Sequence, residues 1–145
     1  MVSQIFFHLA FPVHNLQEAK HFYVEGLGCK PGRISNHSII FNLMGNQIVA
    51  QLVKKKPEPQ KGIYPRHFGL IFKNEKDWQA LICRAKEKGL KFYQEPKIRF
   101  PNTKIEHQTF FLEDPSHNLL EFKNYKFESA IFAEDEFTEV GDTKE

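Results

Sequence analysis

The sequence predicts an α+β fold, a single domain of two like halves. Three observations carry that expectation. The order strand, capped helix, short strands occurs twice, with a polar stretch between the two occurrences. The opening strand of each half raises a histidine among large apolar residues, His8 in QIFFHLAF and His67 in RHFGLIF. The stretch Phe110–Lys123, FFLEDPSHNLLEFK, sets two apolar runs around the turn cluster Asp114-Pro115-Ser116-His117-Asn118 and so reads as a β-hairpin.

In chain order, Gln4–Phe11 alternates as a strand, with Phe7, Leu9 and Phe11 on one face and Phe6, His8 and Ala10 on the other. Pro12, which lacks a ladder donor, should end it. Asn15 is placed to cap a helix, and Glu18 three residues on completes a capping-box pattern. Leu16, Ala19 and Phe22–Tyr23 keep helical spacing until Gly26–Gly28. Strands over Ser38–Leu43 and Gln47–Val53 follow, turning at Met44-Gly45-Asn46. Residues 54–65, KKKPEPQKGIYP, are polar and aperiodic and read as a linker. The second half opens with a strand over His67–Lys73, and Asn74 can cap a helix with the apolar stripe Trp78, Leu81, Ile82, Ala85. A strand over Lys91–Gln94, a loop over Glu95–Glu106 and the hairpin complete it. The domain is thus expected over 1–125, with modules 4–53 and 66–123 and an acidic tail over 126–145 whose Phe127, Ile131 and Phe132 dock as a short helix.

Composition excludes several classes. At 145 residues the chain can bury a core without disulfides. No apolar run reaches the roughly 20 residues of a membrane span. The N-terminus lacks the basic and small-residue features of a signal peptide. Cys29 and Cys83 give no disulfide framework, so a reducing cytoplasm is the expected compartment. Residues 124–145 hold seven acids against two lysines, which leaves the body of this +2 chain basic. That favours an anionic small molecule, while the dense basic and aromatic stripe of a nucleic-acid binder is absent.

The polar residues on apolar strands carry the functional reading. Glu121 lies between Leu120 and Phe122, and a carboxylate buried alone is heavily penalised. It needs a cation on its face, and Lys123 or a metal ion are the candidates. If each Phe/Leu face packs beneath a helix, the opposite faces carry His8, Gln51, His67 and Glu121. Two imidazoles and a carboxylate form a facial set suited to Fe(II), and the same set can hold Zn, Mn, Ni or Co. Gln51 would be a weaker oxygen ligand or an outer donor. Tyr93, Arg99, His107 and Gln108 lie on or near the long loop over the expected cavity, and Arg99 and Gln108 are candidates for contacting substrate.

HLAFPVHNLQEAKHFYVEGLG and FFLEDPSHNLLEFK resemble the two βαβββ halves of the vicinal oxygen chelate superfamily, which includes glyoxalase I, extradiol dioxygenases and the fosfomycin and bleomycin resistance proteins. HLAFPV, GNQIVAQLV, RHFGLIF and DPSHNLLEFK resemble more narrowly its small single-domain members of predicted extradiol type. The resemblance implies two βαβββ modules in one domain, with mixed sheets curving around a metal and substrate cavity. It places metal ligands on His8, His67 and Glu121, with the fourth position of glyoxalase-like members on or near Gln51. It implies a divalent-metal-dependent enzyme acting on vicinal oxygens, an extradiol-type dioxygenase with Fe(II) first, and a homodimer. The alternatives are a glyoxalase-like lyase or isomerase and a metal-free protein that sequesters a small molecule. Two departures stand out: His117 occupies a usual glycine position, and well-characterised extradiol enzymes of the superfamily are about twice this length.

Overall fold

The computed structural model describes residues 4–142 and contains two four-stranded sheets. The first module runs β1 (His8–Val13), α1 (Leu16–Lys20) continued by a π-helical turn (His21–Gly26), β2 (Lys30–Ile34), β3 (Ser38–Leu43) and β4 (Asn46–Leu52). The second runs β5 (Phe68–Phe72), α2 (Glu75–Glu87), β6 (Lys91–Arg99), β7 (His107–Glu113) and β8 (Leu119–Tyr125). Sheet orders are β1-β4-β3-β2 and β5-β8-β7-β6, with the first and last strands of each module parallel and the other pairs antiparallel. The expected repeat is therefore a repeat of topology.

Local chemistry starts both helices as expected. The Asn15 side chain accepts from the Glu18 N–H, and the Asn74 side chain from the Lys76 N–H. The stripe Trp78, Leu81, Ile82, Ala85 is buried, and the Trp78 indole donates to the Phe122 carbonyl at 2.9 Å. Phe11, Val13, Phe22, Tyr23 and Phe41 of the first module share one core with Trp78, Phe110, Leu120 and Phe122 of the second. Burying such side chains contributes roughly 1.5–3 kcal/mol each before the entropy of ordering them is set against it.

The β7–β8 turn ties the modules together. Asp114 accepts from the backbone N–H groups of Ser116 and Asn118, from the Asn118 side chain and from the buried Tyr23 hydroxyl, 91 residues distant. Asn118 donates onward to the Pro12 carbonyl, and the Ser116 hydroxyl accepts from the His14 N–H. His117 has φ of +67°, the left-handed region where glycine is at ease. Here the imidazole is held by the Glu113 carboxylate.

Two strands exceed their expected limits for the same reason. β1 continues through Pro12 to Val13, and β6 continues through Pro96 to Arg99, so the expected loop over Glu95–Glu106 shrinks to 100–106. Both are edge strands, where a missing N–H need not break a ladder, and β6 absorbs its irregularity in two register shifts. After Tyr125 the chain forms α3 (Ser129–Phe132), but Phe132 stays 96% exposed rather than docking. The segment is anchored further on, where Asp142 meets Lys97 and Arg99.

Replacing Asp114 by alanine strands several buried donors at once. Asp114→Ala is expected to lower unfolding free energy by about 3 kcal/mol in urea titrations.

Candidate metal centre

Register decides which side chains meet on the exposed side of the second sheet. Glu121 pairs with Gly69 of β5 and lies opposite Phe111 of β7, with His67 just before β5. Gly69 has to be glycine, because a Cβ there would collide with the Glu121 main chain. Glu121 is only 6% exposed, yet both its oxygens are satisfied. Its Oε1 lies 3.1 Å from His67 Nε2, and its Oε2 accepts from Arg99 Nη1 at 2.9 Å and Thr109 Oγ1 at 2.6 Å. The side chain that meets Glu121 is Arg99 rather than the expected Lys123, which turns to the Tyr125 hydroxyl at 3.1 Å.

Electrostatics follow from these contacts. Burial pushes the Glu121 carboxyl up, but hydrogen bonds from His67 and Thr109 and the Lys123 and Arg99 charges outweigh it and bring it down to about 2. The hydrogen bond with Glu121 raises the His67 pKa against the opposing effect of burial. His107 is lowered, chiefly by burial; its Nδ1 donates to the Ile105 carbonyl and its Nε2 lies 3.3 Å from Arg99 Nη1.

The donor set fits a cation at one imidazole nitrogen and one carboxylate oxygen. His67 Nδ1 donates to the Ile63 carbonyl at 2.7 Å, which fixes the tautomer and turns Nε2 toward Glu121 Oε1. With Nδ1 carrying the proton, Nε2 keeps a lone pair toward Glu121 Oε1, and these two atoms could hold a metal ion.

The remaining expected residues lie elsewhere. His8 sits on β1 of the first sheet, with Nδ1 2.7 Å from Gln47 Oε1, at an open groove of about 540 Å³ lined by Phe6, Phe7, Pro31 and Phe41. Among the described residues no cluster of three His, Cys, Asp or Glu side chains is sized for a metal. The modules meet through their shared core and the β7–β8 turn, so one chain does not join His8 to the His67–Glu121 pair. Gln51 is opposite Pro12 and Ser38, whereas Gln47 is opposite His8. Gln108 lies on the helix side of the sheet, bonded to Glu75 and Asn124. Tyr93 is on β6 and 38% exposed. Thr109 went unrecognised because strand alternation gives its face only once the register of β7 against β8 is known.

The family model described as the glyoxalase/bleomycin resistance protein/dioxygenase superfamily matches residues 5–122. The chain belongs to that superfamily. A glyoxalase/bleomycin resistance protein/dioxygenase from Alicyclobacillus acidocaldarius is 41% identical to this superfamily member, covering 88% of this chain and 96% of its own, with a TM-score of 0.84. The fosfomycin resistance protein FosX from Listeria monocytogenes is 16% identical, covers 90% of this chain and 99% of its own, and has a TM-score of 0.67. FosX from Mesorhizobium loti gives 12% identity, 90% and 99% coverage and a TM-score of 0.63. Both FosX likenesses speak to the fold alone. No curated protein matches the sequence significantly.

In metal-free protein, stability from Glu121 should be complete above the unfolded carboxyl pKa of roughly 4.3 and lost as pH falls toward about 2. A folded pKa below the unfolded one gives this sign. Urea titrations from pH 7 to 2 are expected to show a loss on the order of 3 kcal/mol that Glu121→Gln lacks.

Proposed function

We propose that the protein is a divalent-metal-dependent enzyme acting on a small molecule with vicinal oxygens, with extradiol-type cleavage of a catechol as its reaction. The observation that carries this reading is His67 Nε2 facing Glu121 Oε1 at 3.1 Å while the other ring nitrogen is pinned to a main-chain carbonyl. A third ligand is supplied by His8 of a second copy. Its Nδ1 is likewise tied to an oxygen, leaving Nε2 free, and Ile5, Phe6 and Phe7 beside it expose apolar surface for a partner to cover. A divalent ion held by this set would chelate vicinal oxygens and offset developing negative charge, and Fe(II) would add dioxygen chemistry.

The chain's own residues do the rest. Thr109 and Arg99 hold the far oxygen of Glu121, so the near one keeps its orientation. His107 is buried in the same polar cluster, with Nδ1 donating to the Ile105 carbonyl and Nε2 turned to Arg99 Nη1, so it helps hold the guanidinium in place. The basic pair Lys97 and Arg99 favours an anionic substrate. The glyoxalase-like alternative loses support, because Gln51 lies opposite Pro12 rather than beside His8. A metal-free binding protein draws support from one fact: Arg99 and Thr109 already satisfy Glu121 Oε2.

Metal analysis after anaerobic loading separates these readings. Wild-type protein is expected to retain Fe(II), to perturb catechol absorption and to consume O₂ with ring opening. Glu121→Ala and His67→Ala should stay folded yet lose metal affinity by more than about 100-fold, above the range typical of outer partners. Unchanged metal content in Glu121→Ala would remove the proposed ligand set.

A further inference from the structure

The Arg99 side chain is 4% exposed and faces two ways. Its inner edge is committed, with Nη1 on Glu121 Oε2 at 2.9 Å and on His107 Nε2 at 3.3 Å. Its outer edge, Nε and Nη2, is a planar two-donor fork of the kind that fits a carboxylate. That fork holds a carboxylate of the chain itself. Asp142 Oδ1 accepts from Arg99 Nε at 2.8 Å and Lys97 Nζ at 3.1 Å, and Oδ2 accepts from Arg99 Nη2 at 3.4 Å.

We propose that the outer fork of Arg99, together with Lys97, is the subsite for a carboxylate of the substrate, and that Asp142 is its displaceable built-in occupant. The inference rests on the reading of this sheet face as a small-molecule site, and it narrows the substrate to one bearing a carboxylate beside its vicinal oxygens.

The carrier of Asp142 is lightly held. From Phe132 to Asp142 the segment exposes Phe132 at 96% and Val140 at 73%, and it is held by one β-bridge at Val140 and a half-buried Phe137. Beside these, the Asp142 N–H donates to the Tyr64 hydroxyl at 2.7 Å on the linker. Segments with few buried contacts open at low free-energy cost. The receptor, in contrast, is rigid: Arg99 ends a strand and is locked from within by Glu121. A carboxylate that replaces Asp142 keeps the buried guanidinium paired throughout, which avoids the penalty of an exposed vacancy in a desolvated site. One guanidinium also spans from the fork to Glu121.

Isothermal titration of metal-free, full-length protein with benzoate tests this, with benzamide as the neutral isostere. Asp142→Ala is expected to bind benzoate at least about tenfold more tightly than wild type, because the internal competitor is gone, while benzamide binding stays unchanged. Asp142→Asn, which keeps the shape and removes the charge, should show a gain of the same sign. Adding Lys97→Ala, a change at a half-exposed strand residue, should reverse part of the gain. Equal benzoate affinity in wild type and both Asp142 variants overturns the proposal, as does a parallel gain for benzamide. No metal is present in the measurement, so its failure leaves the metal reading standing, and failure of metal loading leaves this result interpretable.

Discussion

The buried carboxylate of Glu121 sets the terms for the rest of the second module. An isolated ionised group in this position would cost several kcal/mol, so the fold has to surround it with donors. It does so from three directions: His67 from the start of β5, Thr109 from β7 and Arg99 from the end of β6. Each depends on a feature of the chain that would otherwise look incidental. β6 has to run through Pro96 to deliver Arg99, and Gly69 has to lack a side chain so that β5 can lie against β8 at Glu121. Packing beneath, with Phe110 and Phe122 against Trp78, holds the register that keeps these groups together.

The first module supplies a histidine of similar build without a carboxylate. His8 pairs with Gln47, and the position two residues further along β4 is Val49, where the second module has Glu121 two residues beyond the partner of the chain position at His67. The repeat has thus kept its strands and caps, while only the second module places a carboxylate beside its strand histidine. The two sets of donors lie on faces that the shared core does not bring together. Symmetric association is the economical solution to such an arrangement, since each interface of a two-fold pair can complete two sites at once.

Much of this was legible in the sequence, and the residues show why. Asn15 and Asn74 as caps, the Trp78–Ala85 stripe, and the faces of His67 and Glu121 follow from periods of 3.6 and 2, which are local properties. The superfamily was readable from the strand motifs and the hairpin. What escaped depends on register and on edges. Gln51 and Gln47 share a face, and only the pairing with β1 shows that Gln47 is the one beside His8. Gln108 and Thr109 are neighbours in sequence on opposite faces, and the expected site residue was the one on the helix side. Proline read as a terminator in β1 because sequence alone does not mark which strands lie at an edge. The anchoring of the acidic tail through Asp142 on Lys97 and Arg99 was not legible, because those contacts are tertiary.

Subunit complementation probes most directly whether two copies build one site. In the proposed two-fold dimer, His8→Ala and His67→Ala would each remove one ligand from every site. Mixed and exchanged, they form heterodimers in which one site has lost both ligands and the other is whole. Metal content should recover to about a quarter of the wild-type value, the share expected from random pairing of a two-fold dimer. Recovery of none after verified subunit exchange would contradict a site shared between protomers.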